Sequence, residues 1–175
     1  MRVINCEIRN NHGVRENEDW TGKGLFIEIS WGPVLVDGCT ITGNRIGVNV
    51  ANTPNVTIRN CRIADNRETQ IAVELHDRGK SFATSLHPLR LESNTLMAAA
   101  PDALLIGREF TSDKTYADIL HNQLAWKNNV CITPGGEKPF LYADPEGTVR
   151  RVSVKEWVDR VPCGENAIFA VPLTW

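Results

Sequence analysis

The sequence lacks any long apolar run, and no stretch approaches the roughly 18 residues of a membrane-spanning helix. Residues 1–6 show no charged region followed by an apolar stretch, so we expect no signal peptide in this chain. A basic excess is also missing, because Lys and Arg total 19 while Asp and Glu total 21. Binders of duplex nucleic acid normally carry such an excess. We therefore predict neither membrane insertion nor a nucleic-acid partner.

The five cysteines follow no pattern typical of a metal site. No Cys-x-x-Cys and no Cys/His pair has zinc-ligand spacing, so we predict no metal ligands. Because the number of cysteines is odd, a disulfide framework is not expected, although a single bridge stays open. The sequence also contains no nucleophile elbow, phosphate loop or dinucleotide fingerprint. Its 175 residues are 42% hydrophobic, which is enough for the core of one domain.

Three segments of the sequence align without gaps around Cys6, Cys39 and Cys61. Counted from the cysteine, an aliphatic residue lies three positions before, another two after, and an asparagine five after. Two weaker copies, centred on Asn94 and Asn122, have asparagine in the cysteine position. This spacing does not fit a helical period, but it fits a period of two interrupted by a tight bend. Each copy therefore predicts two short strands around a corner.

Other alternating runs lie between the copies, at residues 25–29, 47–50, 71–75 and 103–106. Three short strands per turn, with a basic turn of about 22 residues, are typical of a parallel β-solenoid. Loop insertions near residues 12–24 and 76–88 would account for the longer intervals. Stacked turns predict one internal column of aliphatic side chains, formed by Ile8, Ile41, Ile63, Leu96 and Leu124.

Two further columns are interpreted as parts of the scaffold. The aligned cysteines would fill one corner of each turn as small apolar side chains. Asparagine tolerates left-handed backbone, and its amide can form hydrogen bonds between turns. We therefore predict an asparagine ladder at a second bend, formed by Asn11, Asn44 and Asn66.

The repeats over residues 1–132 resemble the right-handed parallel β-helix of the pectate-lyase-like superfamily. The hand follows from that resemblance and from the usual right-handed crossover of parallel strands. The resemblance implies an all-β solenoid of about four to five turns. Residues 133–175 are similar to the segment that follows the β-helix in many such bacterial proteins. The similarity includes a short α-helix with Trp157. Ala167 and Val171 replace the Ser and Asp of that pattern. We predict that this irregular C-terminal segment packs on the solenoid.

The same resemblance implies a secreted or cell-surface protein. Calcium is frequent among the lyases of the superfamily, but no Asp-rich cluster in this sequence can be assigned to it. Met1 lies almost directly at the first repeat, which leaves no room for the cap that normally covers the end of a β-helix. We therefore expect this chain to be the C-terminal part of a larger polypeptide, with further N-terminal turns of that polypeptide as its partner.

Candidate site residues follow from the polar members of the alternating strands. Three of them, Glu28, Asn49 and Glu74, lie in successive turns. They would face solvent and form a ladder with a step of about 4.8 Å. The insertion after Glu74 contains an acid, a base and two cations within residues 76–80, and Arg108 follows the next strand. We predict catalytic roles for Glu74, His76 and Asp77. We predict substrate-binding roles for Glu28, Asn49, Arg78, Lys80 and Arg108.

These residue types fit two kinds of polysaccharide chemistry. A uronate lyase needs a cation to neutralise the sugar carboxylate and a base to remove the C5 proton. A glycoside hydrolase needs two carboxyl groups about 5–10 Å apart, a spacing that Glu28 and Glu74 could meet. Ordinary solvated strand faces and a charged loop would give the same pattern. Candidate platforms for sugar rings are Trp20, Trp31 and Trp126.

The resemblance implies an extracellular polysaccharide-processing protein, either a lyase or a glycoside hydrolase, with a polysaccharide or oligosaccharide as its partner. The alternative is a non-catalytic glycan-binding or surface-structural solenoid. Because parallel β-helices carry several chemistries and some carry none, the fold alone does not decide between them.

Overall fold

The computed structural model of the chain describes residues 1–13, 21–76, 83, 85–98, 100, 102–133, 138–162 and 168–170. These residues wind through five turns of three short strands each. The first three turns consist of β1 (Arg2–Ile4), β2 (Glu7–Arg9), β3 (Lys23–Glu28), β4 (Val34–Asp37), β5 (Thr40–Thr42), β6 (Ile46–Ala51), β7 (Val56–Arg59), β8 (Arg62–Asn66) and β9 (Thr69–Glu74). The next two consist of β10 (Leu89–Glu92), β11 (Thr95–Ala98), β12 (Leu104–Arg108), β13 (Leu124–Lys127), β14 (Val130–Ile132) and β15 (Phe140–Ala143).

Strands one turn apart pair in parallel and form three sheets. The first sheet has the order β1-β4-β7-β10-β13. The second runs β2-β5-β8-β11-β14 and ends with β17 (Ile168–Ala170), and the third runs β3-β6-β9-β12-β15 and ends with β16 (Val149–Val152). Among the described strands, β16 alone runs antiparallel to its neighbour. The predicted all-β solenoid of four to five turns is confirmed.

The predicted aliphatic column is confirmed for four of its five members. The register of the second sheet aligns Ile8, Ile41, Ile63 and Leu96. All of these are fully buried except Ile8, which is half-buried because it lies in the first turn. The fifth member is Cys131, and the prediction of Leu124 is wrong. Leu124 begins β13 and pairs with Leu89 in the first sheet.

The error in the last repeat has a local cause. Residues 113–123 form the helix α1 (Asp113–Asp118) and a π-helical segment, Ile119–Gln123, where the copy centred on Asn122 predicts strands. Ala117 and Ile119 of these helical segments are buried, so their apolar spacing imitates a repeat. Asn129 takes the anchor position instead, because its Oδ1 accepts a hydrogen bond from the backbone N–H of Asn94 at 2.9 Å.

The cysteine column fills a corner as predicted, except at its end. Cys39 and Cys61 are buried, and the N–H of Cys39 donates to Cys61 Sγ at 3.4 Å. Burial raises the pKa of Cys61 to about 11, so its thiol stays protonated at neutral pH. Cys6 is exposed in the first turn. Cys6, Cys39 and Cys61 are free thiols.

The asparagine ladder is confirmed, but its backbone conformation differs from the prediction. The N–H of Asn44 donates to Asn66 Oδ1 at 3.0 Å, and the N–H of Asn11 donates to Asn44 Oδ1 at the same distance. Left-handed backbone occurs one residue earlier, at Asn10 (φ 62°), Gly43 (φ 68°) and Asp65 (φ 56°). A Cβ on Gly43 would also lie 2.5 Å from Asn10 Oδ1, which explains the glycine there.

An aromatic cluster connects the C-terminal residues to the fifth turn. Trp157, on the helix α2 (Val154–Arg160), stacks on Phe140 with ring centroids 4.4 Å apart and meets the edge of Trp126 at 6.0 Å. A capping box between Ser153 and Glu156 begins this helix. The predicted short helix is therefore present. Trp126 is buried in this cluster, so its prediction as an exposed sugar platform is wrong.

Parallel pairing continues past residue 132, where the sequence prediction placed the end of the repeats. The strand β15 pairs with β12 in the third sheet, and β17 pairs with β14 in the second. The described part of residues 133–175 thus adds strands to the solenoid as well as a helix. No helix among the described residues has both the length and the apolar character needed to cross a membrane.

Candidate functional site

The outer face of the third sheet carries the polar residues singled out by the sequence. Val48 and Val50 join the hydrophobic core, so Asn49 and Ala51, which alternate with them, face outward. The register shows two neighbouring columns on this face where the sequence predicts a single ladder. One column contains Glu28, Ala51 and Glu74, and the other contains Phe26, Asn49 and Ala72.

The predicted solvent exposure of this face is wrong for two of the three ladder residues. Asn49 is 0% exposed and Glu74 is 1% exposed, whereas Glu28 is half-buried. The physical reason is that other charged side chains pack against them. Asn49 Nδ2 donates to Glu109 Oε2 at 2.7 Å and to Glu74 Oε2 at 3.2 Å. Lys23 Nζ lies 2.7 Å and 3.7 Å from the same two carboxylate oxygens.

Arg45 extends this arrangement through two ion pairs. Its guanidinium lies 2.9 Å from Glu109 Oε1 and 2.7 Å from Glu68 Oε2, and its Nε donates to the Thr21 carbonyl. Burial opposes the charge of Arg45, but its bonds to Glu109 and Glu68 outweigh that effect and raise its pKa above the ordinary value. Together with these residues, His76 completes a group that we call the charged cluster: Lys23, Arg45, Asn49, Glu68, Glu74, His76 and Glu109.

His76 connects the inner part of the charged cluster to its outer edge. Its Nδ1 lies 3.3 Å from Glu74 Oε1, on the side of Glu74 that does not face Asn49. The His76 side chain is 29% exposed, whereas that of Glu74 is 2% exposed. The edge of the His76 ring meets Phe110, with centroids 6.4 Å apart. A buried carboxylate beside a partly exposed imidazole can orient that ring for proton transfer.

Two aromatic side chains flank the charged cluster and remain open to solvent. Lys23 Nζ lies 4.0 Å from the centroid of the Phe26 ring, and Phe26 is 38% exposed. Phe110 follows β12 and is 54% exposed. Trp31, a predicted sugar platform, is exposed in the loop after β3, and Trp20 lies outside the described residues. Exposed aromatic faces beside carboxylates are typical of carbohydrate sites.

Other predicted site residues have different outcomes. Arg108 donates to the Thr111 carbonyl and forms an ion pair with Asp113, so its described contacts are with the start of α1 rather than with the charged cluster. Asp77, Arg78 and Lys80 lie outside the described residues.

Sequence reasoning missed Lys23 and Arg45 and did not select Glu109. Lys23 follows the first insertion, and Arg45 follows a ladder residue, so neither fits the strand alternation used to find the site. Glu109 gives a clearer signal, because its N–H donates to the Val73 carbonyl and so continues the register of Glu74 in the next turn. Its position one residue beyond β12 was the available sign.

A cavity of about 490 Å³ lies beside the charged cluster at the first turn of the solenoid. This cavity is widely open to solvent. The lining includes Lys23, which lies within ion-pair distance of Glu109 and Glu74. The lining residues are Asn10, Asn11, His12, Gly13, Thr21, Gly22 and Lys23.

The calcium site suggested by the resemblance has no matching donor set in the part of the chain that the structure describes. No group of three or more His, Cys, Asp or Glu side chains there could hold a metal ion. Each carboxylate of the charged cluster instead faces a cation, an amide or an imidazole.

A family model described as a right handed beta helix region matches residues 1–124. The chain belongs to the right-handed β-helix family. This membership gives the solenoid its hand, and every member of the charged cluster lies within the matched part of this β-helix. No curated protein and no solved structure matches the chain.

Proposed function

We propose that this β-helix protein is a polysaccharide-processing enzyme, a lyase or a glycoside hydrolase, acting at the cell surface or outside the cell. The observation that carries the proposal is the carboxylate pair Glu74 and Glu109. Both accept hydrogen bonds from the single Asn49 amide, and both lie near Lys23. Two carboxyl groups held side by side are the usual arrangement for acid–base cleavage of glycosidic bonds.

The shape of the surface supports an extended sugar chain as the ligand. Successive turns of a parallel β-helix present side chains at steps of about 4.8 Å along the solenoid. Phe26 and Phe110 offer exposed apolar faces on which sugar rings can stack. Among the described residues, buried Asn49 Oδ1 has no hydrogen-bond partner. A sugar hydroxyl is a suitable donor for this acceptor, since buried polar atoms are normally paired.

The charged cluster divides naturally into inner and outer members. Glu68, with 47% of its side chain exposed, and His76, with 29%, form the outer edge, and Glu109, with 12%, is the more exposed member of the carboxylate pair. Glu74 lies behind them, in contact with both Asn49 and His76. In this proposal Glu74 and Glu109 supply the acid and base groups, and His76 exchanges a proton between Glu74 and solvent.

One observation favours the alternative, a non-catalytic glycan-binding or structural solenoid. Asn49 and Glu74 are almost completely buried, and the cluster pairs its charges internally. Structural ion-pair networks have the same appearance. In that case the cluster would join turns of the solenoid, and exposed Phe26 and Phe110 would retain a role in binding sugars.

The deciding experiment measures cleavage of a polysaccharide panel by the purified chain. Release of reducing ends and ultraviolet absorbance of unsaturated products are followed for the wild type and for Glu109→Gln and Glu74→Gln. Glu92→Gln, on β10 of the first sheet, is the matched control. The proposal predicts cleavage that both cluster variants lose and the control keeps. Retention in affinity electrophoresis without any cleavage would favour the binding protein instead.

A further inference from the structure

The cations of the charged cluster already have carboxylate partners. Lys23, 3% exposed, lies 2.7 Å from Glu109, and Arg45 lies within 2.9 Å of both Glu68 and Glu109. A uronate substrate carries a carboxylate on each sugar and needs a cation to bind it. If a sugar carboxylate displaced Glu109 from Lys23 or Arg45, a carboxylate that is only 12% exposed would lose that partner, which is costly.

The described charges of the site face offer no net attraction to an anionic substrate. Within the cluster, three glutamates face two cations, and Arg67 lies 3.6 Å from Glu68 as a third cation. A polyanion is attracted by an excess of positive charge, and the described part of this face presents no such excess.

We infer that the substrate is a neutral glycan and that the enzyme cleaves it by hydrolysis, an inference that rests on the proposed function. Elimination requires removal of the C5 proton, which is acidic only when C6 is a carboxylate or its ester. A neutral sugar has no such group, so the glycosidic bond must be cleaved by water. The glycosidic C–O bond breaks, its electron pair goes to the leaving oxygen, and that oxygen takes a proton from one carboxyl group. The other carboxylate bonds to the anomeric carbon. Water then displaces it: the water oxygen bonds to the anomeric carbon, the carboxylate leaves with the electron pair of its C–O bond, and the first group takes the proton of the water.

The test compares neutral and uronate polymers with the intact chain. The neutral probes are a glucan, a mannan and an arabinan, and the anionic probes are polygalacturonate and alginate. We expect reducing ends from a neutral polymer without an unsaturated chromophore. We also expect affinity for that polymer to be nearly independent of salt, because screening affects only charged ligands. Both measurements use the wild type, so neither depends on a variant that folds.

Variants then connect the activity to the charged cluster. Glu74→Gln and Glu109→Gln should each lower the hydrolysis rate by about 10²–10⁴-fold, the usual contribution of acid–base groups. Glu92→Gln should leave the rate unchanged, and melting curves identify any variant that fails to fold. Glu68→Gln removes one partner of Arg45 and should raise the affinity for polygalacturonate, with an affinity that falls as salt rises.

The possible outcomes distinguish failure of the inference from failure of the proposed function. Hydrolysis of a neutral polymer that is lost in both carboxylate variants supports both. Unsaturated products from polygalacturonate or alginate would overturn the neutral-glycan inference and leave the proposed enzyme intact. Cleavage of none of the polymers by the folded wild type would overturn the proposed function and the inference together.

Discussion

Lys23 Nζ lies 2.7 Å from Glu109 Oε2, and this ion pair joins the first turn of the solenoid to the fourth. Both side chains are largely withdrawn from water, with exposed fractions of 3% and 12%. Withdrawing charges from water is unfavourable, and the mutual attraction offsets that cost only while both partners are present. The pair is therefore expected to behave as a unit, in which loss of one member is worse than loss of both.

The first prediction concerns this coupling. Lys23→Met should destabilise the protein by about 3–5 kcal/mol, because it leaves Glu109 with an incompletely compensated buried charge. Adding Glu109→Gln should recover part of that loss, since Arg45 keeps Glu68 as its partner. Denaturant unfolding of the two single variants and the double variant measures the coupling. Purely additive losses would contradict the assignment of a coupled pair.

The anchor of the fifth turn gives a second prediction with a natural control. Asn129 is buried, its Oδ1 accepts from Asn94, and its Nδ2 donates to the Leu91 carbonyl at 2.8 Å. Asn129→Ala should cost about 1–3 kcal/mol for each buried group left unpaired. Asn122→Ala should change stability by less than about 0.5 kcal/mol, because Asn122 is exposed and bonds only to Asp118 among its described contacts.

Thermal or denaturant unfolding of these two asparagine variants also decides between the repeat alignments. The sequence places the last anchor at Asn122, and the structure places it at Asn129. Equal losses of stability in the two variants, or a larger loss in Asn122→Ala, would contradict the register in the structure.

The repeat was predictable from sequence because every turn of a solenoid requires similar residue types at equivalent positions. The alignment of Cys39 with Cys61 predicted both the aliphatic register and the asparagine ladder. It failed at Leu124, because the helical insertion before β13 has apolar spacing of its own. A few aliphatic residues can have the same spacing in two short strands as in a helical turn, so this spacing alone does not distinguish the two.

The charged cluster was only partly predictable. Strand alternation identified the outer face that bears Asn49 and Glu74, but it could not predict that this face is covered. The burial depends on Lys23, Arg45 and Glu109, which come from three different turns and meet only in the folded chain. Long flexible side chains of this kind carry no periodic signal, so their partners had to be read from the structure.

A third prediction concerns the pH dependence of stability at the helix α2. The hydrogen bond from Arg150, at 2.8 Å, lowers the pKa of Glu156 from its ordinary value of 4.5 to about 2, with help from the Ser153 backbone. A lowered pKa in the folded state means that Glu156 stabilises the protein above pH 4.5 and loses this effect as the pH falls towards 2. Glu156→Gln should therefore be less stable than the wild type at neutral pH.

The stability difference between the wild type and Glu156→Gln should shrink as the pH is lowered through that interval. Urea unfolding of both proteins at neutral pH and at steps down to pH ~2 measures it. Glu7→Gln, on the exposed strand β2, controls for the change in net charge. A difference that stays constant across the acidic range would contradict the role given to the Arg150 pair.

The last prediction concerns the stereochemistry of cleavage. Glu74 Oε2 and Glu109 Oε2 lie 3.2 Å and 2.7 Å from the same Asn49 Nδ2, so they cannot be further apart than these two lengths combined. Inverting glycosidases separate their carboxyl groups by about 6.5–9.5 Å to admit a water, whereas retaining enzymes keep them about 5–5.5 Å apart. The nearest oxygens of this pair fall short of the inverting range. We therefore expect retention of anomeric configuration, with a glycosyl-enzyme intermediate on one of the two glutamates. Proton NMR of the first product formed from the neutral polymer measures its anomer before mutarotation. A product of inverted configuration would show that Glu74 and Glu109 are not the reacting pair, even if both Glu→Gln variants were inactive.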